Sequence, residues 1–327
     1  MNVFVTGGAG YIGSHTVRLL LESGHEVTVF DNLSEGHAAA VPEGLLVPGD
    51  LADAAALTGA LSAREFDAVV HFAAHCYVGE SVEDPEKYYR NNVANSLALL
   101  RAMRATGVGK IVFSSSAATY GNPVENPITE THPQNPINPY GRTKLMFEEV
   151  LSDYARAYGF GCVSLRYFNA AGAAPDGSIG EDHDPETHLI PIVLQVALGQ
   201  REKVSIFGSD YDTPDGTCVR DYIHILDLAQ AHVLALESVE PGQARMYNLG
   251  NGEGYSVRQV IEVAEKVTGT EIPRVDAPRR PGDPDTLVAS SEKIMCELGW
   301  RPTYPHLESI IETAWHWHRS HPDGYGD

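Results

Sequence analysis

Val3-Phe4-Val5-Thr6-Gly7-Gly8-Ala9-Gly10-Tyr11-Ile12-Gly13 is a short apolar run that breaks into spaced glycines and then enters a helical pattern. The β-branched and aromatic residues at 3–6 predict a strand, and residues 11–22 predict a helix. Glycines at 7, 10 and 13 let the connecting backbone turn sharply and come close to a pyrophosphate. The helix N-terminus adds free N–H groups and the positive end of its dipole. A glycine turn alone is a weak signal; here it has the strand–loop–helix context that a dinucleotide loop needs. A second predicted strand, 26–30, runs into Asp31, about 20 residues further on. A carboxylate there accepts the adenosine ribose hydroxyls and disfavours a 2′-phosphate, so NAD is expected over NADP.

Further apolar runs at 68–72, 110–114 and 162–166 predict strands, and helical patterns cover 52–63, 85–105 and 140–158. Strands that alternate with amphipathic helices build βαβ units around a buried parallel sheet. The expected fold is therefore α/β: a Rossmann-type doubly wound parallel sheet with a smaller α/β substrate-binding lobe. Composition shifts after Asn169, where residues 170–186 are rich in Gly, Pro and Asp and read as a long loop. Further loops are expected at 208–216 and 278–284. We assign 1–169 to the nucleotide-binding domain, with 217–250 partly returning to it, and 170–327 mainly to the substrate lobe.

The 327 residues include 23 basic and 44 acidic side chains, a net charge of −21. Nucleic acid wants a basic face, and an anionic membrane repels this charge, so neither partner is expected. An anionic substrate must then be held by locally placed cations and helix N-termini. Four scattered cysteines with no CxxC pair suit free thiols in a reducing compartment. With no signal-peptide pattern and no apolar run of about 20 residues, the chain reads as cytoplasmic.

Tyr140 and Lys144 sit four apart in a predicted helix and so share a face. A tyrosine acts as a base near neutrality only if its pKa falls from about 10 toward 7, roughly 4 kcal/mol of differential stabilisation. A neighbouring ammonium and an oxidised nicotinamide ring both pull in that direction. The strand at 110–114 runs into Ser115 and Ser116, where a hydroxyl can bond a reacting substrate oxygen. Each feature alone is common by chance; together with the glycine loop they point to catalysis.

Several runs occur in order along the chain: TGGAGYIGSH (6–15), DNL (31–33), HFAA (71–74) with VGES (78–81), SSSA (114–117) with TYG (119–121), NPYGRTK (138–144), LRYFNAAGA (165–173), VRDYIH (219–224), YNLGNG (247–252) and APRRPGD (277–283). This series resembles the UDP-glucose/UDP-galactose 4-epimerases of the extended short-chain dehydrogenase group over nearly the whole chain. The resemblance implies that Gly7, Gly10, Tyr11, Ile12 and Gly13 form the pyrophosphate loop, with Asp31 and Asn32 on the adenosine ribose and Asp50 and Leu51 beside adenine. Phe72, Ala73, Ala74, Asn91, Ser114, Tyr167 and Phe168 would line the cofactor, with Lys144 on the nicotinamide ribose. Tyr140 would be the base and Ser116 its hydrogen-bonding companion. The UDP-hexose would be held by Asn169, His188, Leu189, Phe207, Arg220, Arg280 and Asp283. Arginine suits a diphosphate because its planar fork offers paired donors. A homodimer through 85–105 and 140–158 is also implied.

Two positions depart from the family pattern. Cys76 stands where many such epimerases carry a lysine, which removes a positive contact near the cofactor. Leu287 falls at a position that gates sugar size and is smaller than the tyrosine of strict hexose enzymes, so UDP-GlcNAc and UDP-GalNAc are candidate substrates as well.

Rival readings are weaker. A nucleotide-sugar 4,6-dehydratase needs an acid–base pair after the serine, where this chain has Ala117 and Ala118. A UDP-uronic acid 4-epimerase needs a cation near 185–191, where only His188 is offered. An NAD-sensing regulator has no use for Ser116, Tyr140 and Lys144 together. No metal is expected: Trp315-His316-Trp317-His318 with His321 reads as a terminal amphipathic helix, His183 and His188 as loop polarity, and Glu181, Asp182 and Asp184 as a solvated loop.

Overall fold

The computed structural model describes residues 1–280 and 283–326, so Pro281 and Gly282 of the third expected loop lie outside the described residues. The first half alternates strand and helix: β1 (Asn2–Thr6), α1 (Tyr11–Glu22), β2 (Glu26–Asp31), β3 (Leu46–Pro48), α2 (Ala54–Ser62), β4 (Ala68–His71), α3 (Val78–Glu83), α4 (Pro85–Tyr88), α5 (Ser96–Thr106), β5 (Lys110–Ser114), α6 (Pro139–Tyr158) and β6 (Gly161–Tyr167). The second half holds β7 (Asn169–Ala171), α7 (Leu189–Ala197), β8 (Val204–Phe207), β9 (Val219–His224), α8 (Ile225–Glu237), β10 (Ala244–Leu249), β11 (Gly254–Ser256), α9 (Val257–Thr268), β12 (Arg274–Ala277), β13 (Thr286–Leu287), α10 (Glu292–Leu298) and α11 (Leu307–Ser320).

Seven strands form one parallel sheet in the order β10-β6-β5-β4-β1-β2-β3. Thr6 lies opposite Phe30 on one side and His71 on the other, so β1, β2 and β4 end at one edge. The strand order reverses between β1 and β4, which opens a crevice at their carboxyl ends, where ligands of such sheets bind. Alternation within β1 feeds both faces. Val3 and Val5 pack with Val17 of α1 and Leu228 and Ala231 of α8, whereas Phe4 packs with Leu57, Leu99, Phe147 and Leu151 of α2, α5 and α6. Period-two side chains buried on both sides are what a doubly covered parallel sheet requires.

A third core joins α7, α9 and α11 through Ile190, Val193, Leu194, Val260, Ile261, Ile310 and Ile311. Beside it β9 pairs with β7, β11 and β13, and β8 pairs with β12. The segment 217–250 divides between these regions: β9 joins the small sheet, α8 packs on α1, and β10 extends the large sheet beside β6. The four cysteines are free, and among the described residues no helix is long and apolar enough to cross a membrane.

Most sequence-predicted boundaries hold within a residue or two, but the helix expected over 85–105 is not a single α-helix. Residues 89–95 form a π-helical segment between α4 and α5. The wider turn accompanies Asn92, whose side chain accepts from the His75 N–H and donates to the His75 carbonyl and the Thr143 hydroxyl. Helix α6 starts as its sequence dictates. The Asn138 side chain accepts the Gly141 N–H, Pro139 occupies the first turn, and left-handed Gly159 ends the helix.

Beneath the active edge lies a buried polar chain. Arg166 on β6 donates through Nε and Nη2 to Glu148 of α6 and through Nη1 to the Tyr120 hydroxyl. Tyr120 in turn donates to Asn248 of β10, and Ser115 donates to Glu148. All five side chains are almost fully enclosed. Truncating one partner of a buried pair strands the other charge, which typically costs 3–5 kcal/mol. Glu148→Ala is expected to lower unfolding stability by about that amount, read as a shift of the urea midpoint at unchanged slope.

Candidate active site

Helix α1 begins at Tyr11 behind Gly10, which has no side chain to cap it, so its first-turn N–H groups are left for a ligand. Gly7 has φ +72°, and a Cβ there would stand 2.4 Å from the Ala73 nitrogen. A Cβ on Gly13 would stand 2.2 Å from the Gly7 carbonyl oxygen. Only glycine fits either position, and the resulting tight turn is a cradle for a pyrophosphate. Asp31, at the end of β2, accepts the Ala9 N–H on Oδ2 and the Leu33 N–H on Oδ1. Burial pushes its carboxyl up while both N–H groups pull it back. Asn32 donates to Asp50 across the same edge.

These residues line one continuous cleft. The cleft brings together every sequence-predicted cofactor residue: Gly7, Gly10, Tyr11, Ile12, Gly13, Asp31, Asn32, Asp50, Leu51, Phe72, Ala73, Ala74, Asn91, Ser114, Tyr140, Lys144, Tyr167 and Phe168. Ser116, Asn169, His188 and Leu189 line it too. The glycine cradle, the uncapped helix start and the carboxylate at the β2 end fit an adenine dinucleotide in shape and polarity.

At the centre stand Ser116, Tyr140 and Lys144, all buried. Burial raises the Tyr140 phenol well above its ordinary value, with Tyr167 and Cys76 adding to the rise; the Ser116 hydroxyl bonds it and pulls it back. Lys144 Nζ lies 5.7 Å from the centre of the Tyr140 ring and donates to the Ser114 carbonyl at 2.8 Å. Burial lowers Lys144 to about 8, against the pull of Cys76 and Glu148. A phenol so placed is a proton carrier that needs added positive charge nearby before it can act as a base. Ser114 and Tyr167 share a hydroxyl hydrogen bond of 2.8 Å beside it.

Phe207, Arg220, Arg280, Asp283 and Leu287 stand outside that lining, on the smaller lobe. Arg220 ion-pairs with Asp283 and also donates to the Val219 and Pro284 carbonyls. The Arg280 guanidinium lies 4.0 Å above the Phe207 ring. Leu287 of β13 is in register with Arg220 of β9, and Asn169 of β7 with Tyr222 of β9. Asn169 donates to the Asp221 carbonyl and Tyr222 lines the cleft, so the small sheet links the two groups of residues.

The structure overturns one sequence expectation outright. Of the Glu181, Asp182 and Asp184 expected in a solvated loop, Glu181 is buried, and together with the buried Glu186 it faces His183 and His188. Burial pushes both carboxyls up, yet the attraction of the two histidines wins and holds them low. Burial would lower His183, but the facing carboxylates raise it to about 10, and His188 is raised by the same pair. Asp182 accepts the Tyr325 N–H, which leaves Asp184 as the exposed acid. Glu181, His183, His75, Glu35 and Tyr222 also line the cleft and escaped the sequence reading. The density of Glu and His in residues 181–188 was the available signal.

A model of the NAD-dependent epimerase/dehydratase family matches residues 3–250. The UDP-glucose 4-epimerase of Halalkalibacterium halodurans is 57% identical over 326 residues, 99% of this chain and 98% of its own. The Bifidobacterium longum UDP-glucose 4-epimerase, solved with NAD+ and UDP, superposes with a TM-score of 0.95 at 40% identity, covering 99% and 100% of the two chains. The UDP-Glc/GlcNAc 4-epimerase of Campylobacter jejuni superposes at 0.85 with 44% identity, covering 98% and 99%.

Keeping Lys144 charged while buried costs the cofactor-free fold stability. Because its folded pKa lies below 10.5, wild-type stability should rise with pH between about 8 and 10.5, where the unfolded chain binds the extra proton. Lys144→Met is expected to stabilise the cofactor-free protein by about 1–3 kcal/mol at pH 7. That gain should shrink toward pH 10, as followed by denaturant unfolding.

Proposed function

The chain belongs to the NAD-dependent epimerase/dehydratase family, and from that premise we infer an NAD-dependent isomerase that interconverts UDP-glucose and UDP-galactose through a 4-keto sugar. The observation that carries this reading is the buried set of Ser116, Tyr140 and Lys144 at the centre of a cleft floored by the glycine cradle. Bound NAD supplies the hydride acceptor and donor, together with the positive charge of its oxidised ring. Tyr140 takes the proton of the sugar 4-hydroxyl and later returns it. Ser116 holds the same oxygen, and Lys144 keeps positive charge beside the phenol. The keto sugar turns over while its UDP stays fixed, so affinity belongs in the nucleotide contacts. For these we assign Asn169, His188, Leu189, Phe207, Arg220, Arg280 and Asp283. His188 keeps Nδ1 on Glu181, which leaves Nε2 for a diphosphate oxygen.

Ala117 and Ala118 after Ser116 speak against the dehydratase, because neither side chain moves a proton. Leu287 favours a second, wider reading: a leucine at the gate leaves room for an N-acetyl group. Met146 and Tyr158 of α6 present exposed apolar surface, which supports pairing of two chains through 85–105 and 140–158. Free thiols support a cytoplasmic setting.

Purified protein given UDP-galactose is expected to yield a mixture with UDP-glucose and no net NADH. Tyr140→Phe should lower kcat by roughly 10²–10⁴ with NAD still bound. Full turnover in that variant would sink the assignment. UDP-GlcNAc is expected to turn over as well; Leu287→Tyr should suppress that activity at least tenfold while sparing UDP-galactose, measured by chromatography of the nucleotide sugars.

A further inference from the structure

Glu181, His183, Glu186 and His188 place four donor atoms within 4.8 Å of one another. The two carboxylates and two imidazoles come from one eight-residue loop just before α7, and each imidazole turns its Nδ1 toward the carboxylates. We propose that this loop is a divalent-cation site, with zinc as the ion that suits it. Zinc bonds nitrogen and oxygen donors at about 2.0–2.2 Å in a tetrahedron, so its ligand atoms stand about 3.3 Å apart. The observed separations from Nδ1 are 3.4 Å from His183 to Glu181 Oε1, 3.7 Å from His183 to Glu186 Oε2 and 3.4 Å from His188 to Glu186 Oε1, so the Glu186 carboxylate must turn to offer one oxygen to the shared ion. His188 to Glu181 is 2.7 Å and must open by about half an ångström.

The sharper observation is His183 itself. Its side chain is nine-tenths buried, and its Nδ1 has no hydrogen-bond partner although Glu181 lies only 3.4 Å away. A protonated ring would point its N–H straight at one carboxylate. The His183 Nδ1 lies 3.4 Å from a Glu181 oxygen and 3.7 Å from a Glu186 oxygen and is hydrogen-bonded to neither, the spacing of a nitrogen that shares an ion with them. Two carboxylates need two positive charges to be neutral in a buried place. Two imidazolium protons or one divalent ion supply the same charge, and the geometry favours the ion.

The surroundings are built for a fixed loop. Glu186 Oε1 accepts the N–H groups of Thr187 and His188, and the Trp317 indole donates to the Glu181 carbonyl. Outer contacts of this kind orient ligands and tune a bound metal. Glu181, His183 and His188 open on the cleft, which gives the ion an entry path. Held this way, the ion fixes the loop and sets the His188 ring toward the nucleotide.

The test uses the full-length NAD-bound protein, stripped with a chelator and titrated with Zn2+ and with Co2+. Expected are about one ion per chain, release of about two protons per ion, and the intense visible bands of four-coordinate cobalt. Glu186→Gln and His183→Asn should each lose that ion while keeping NAD. A variant with both His316→Ala and His321→Ala should retain it, since the exposed His316 and the half-buried His321 of the tail are the obvious adventitious site. Wild-type protein that takes up no ion from a roughly tenfold excess overturns the proposal whatever the variants do. So does an ion lost with the tail histidines, or one kept by both cluster variants. Failure leaves the epimerase reading intact, because no arm of the test reads turnover.

Discussion

The Gly7 backbone is squeezed between two others, and the site is built around that squeeze. Its carbonyl oxygen occupies the space a Gly13 side chain would need, and the Ala73 backbone occupies the space of its own. The end of β1, the start of α1 and the exit of β4 are thereby locked at contact distance. A left-handed residue at position 7 closes the turn, and glycine adopts it without the roughly 1–2 kcal/mol cost of a side chain. The helix N-terminus and the crevice of the strand reversal then coincide, so the dipole end, the free N–H groups and the Asp31 carboxylate all face one groove.

A second constraint holds the chemistry against that groove. Ser116 follows β5 and Tyr140 opens α6, and these elements are bound from below through Glu148. It lies two turns along α6 from Tyr140 and accepts from Ser115, the neighbour of Ser116, as well as from Arg166 of β6. A buried, charge-assisted network costs desolvation and contributes position. Position is what a proton transfer over hydrogen-bond distance requires. Burial raises the energy of the Tyr140 phenolate, so the phenol needs the cofactor's positive charge before it can act as a base, whereas Lys144, lowered to about 8, already carries its proton near neutrality. The cleft is therefore poised for an oxidised, positively charged ring, which couples proton removal to the presence of the hydride acceptor.

Legibility in the sequence followed how local each feature is. The large sheet's early strands and the faces of α1 and α6 were readable because period two and period 3.6 are written in consecutive residues. Tyr140 and Lys144 were readable as a pair because one helix turn separates them. The π segment at 89–95 was not, since Asn92 is satisfied by residues 75 and 143 that only the fold brings near. The burial of Glu181 and Glu186 was hidden for the same reason. Residues 181–188 look like an acidic, proline-containing loop until α11 and the tail come across them, with Trp317 on the Glu181 carbonyl and Tyr325 on Asp182. Although 217–250 was expected to return partly to the nucleotide-binding domain, β10 was not picked out as a strand, because a strand that rejoins β6 from later in the chain carries no local mark of its partner.

The acidity of the chain gives these local arrangements their meaning. A protein with net charge −21 repels a nucleoside diphosphate at a distance, by an amount that salt reduces. Attraction must then come from short-range groups that are neither screened nor cancelled. Arg220 is already paired with Asp283, and Lys144 is committed to the Ser114 carbonyl. The helix α1 N-terminus carries positive character that needs no long-range field, and the His188 ring, its Nδ1 held by the carboxylates, offers the cleft an Nε2 directed by buried contacts. The imidazole sits over two buried carboxylates, so its charge or its N–H is spent unless something fixes its other face toward the cleft. A loop held rigid from beneath does that, and it explains why so acidic a chain buries two of its glutamates beside the groove where an anion is to bind.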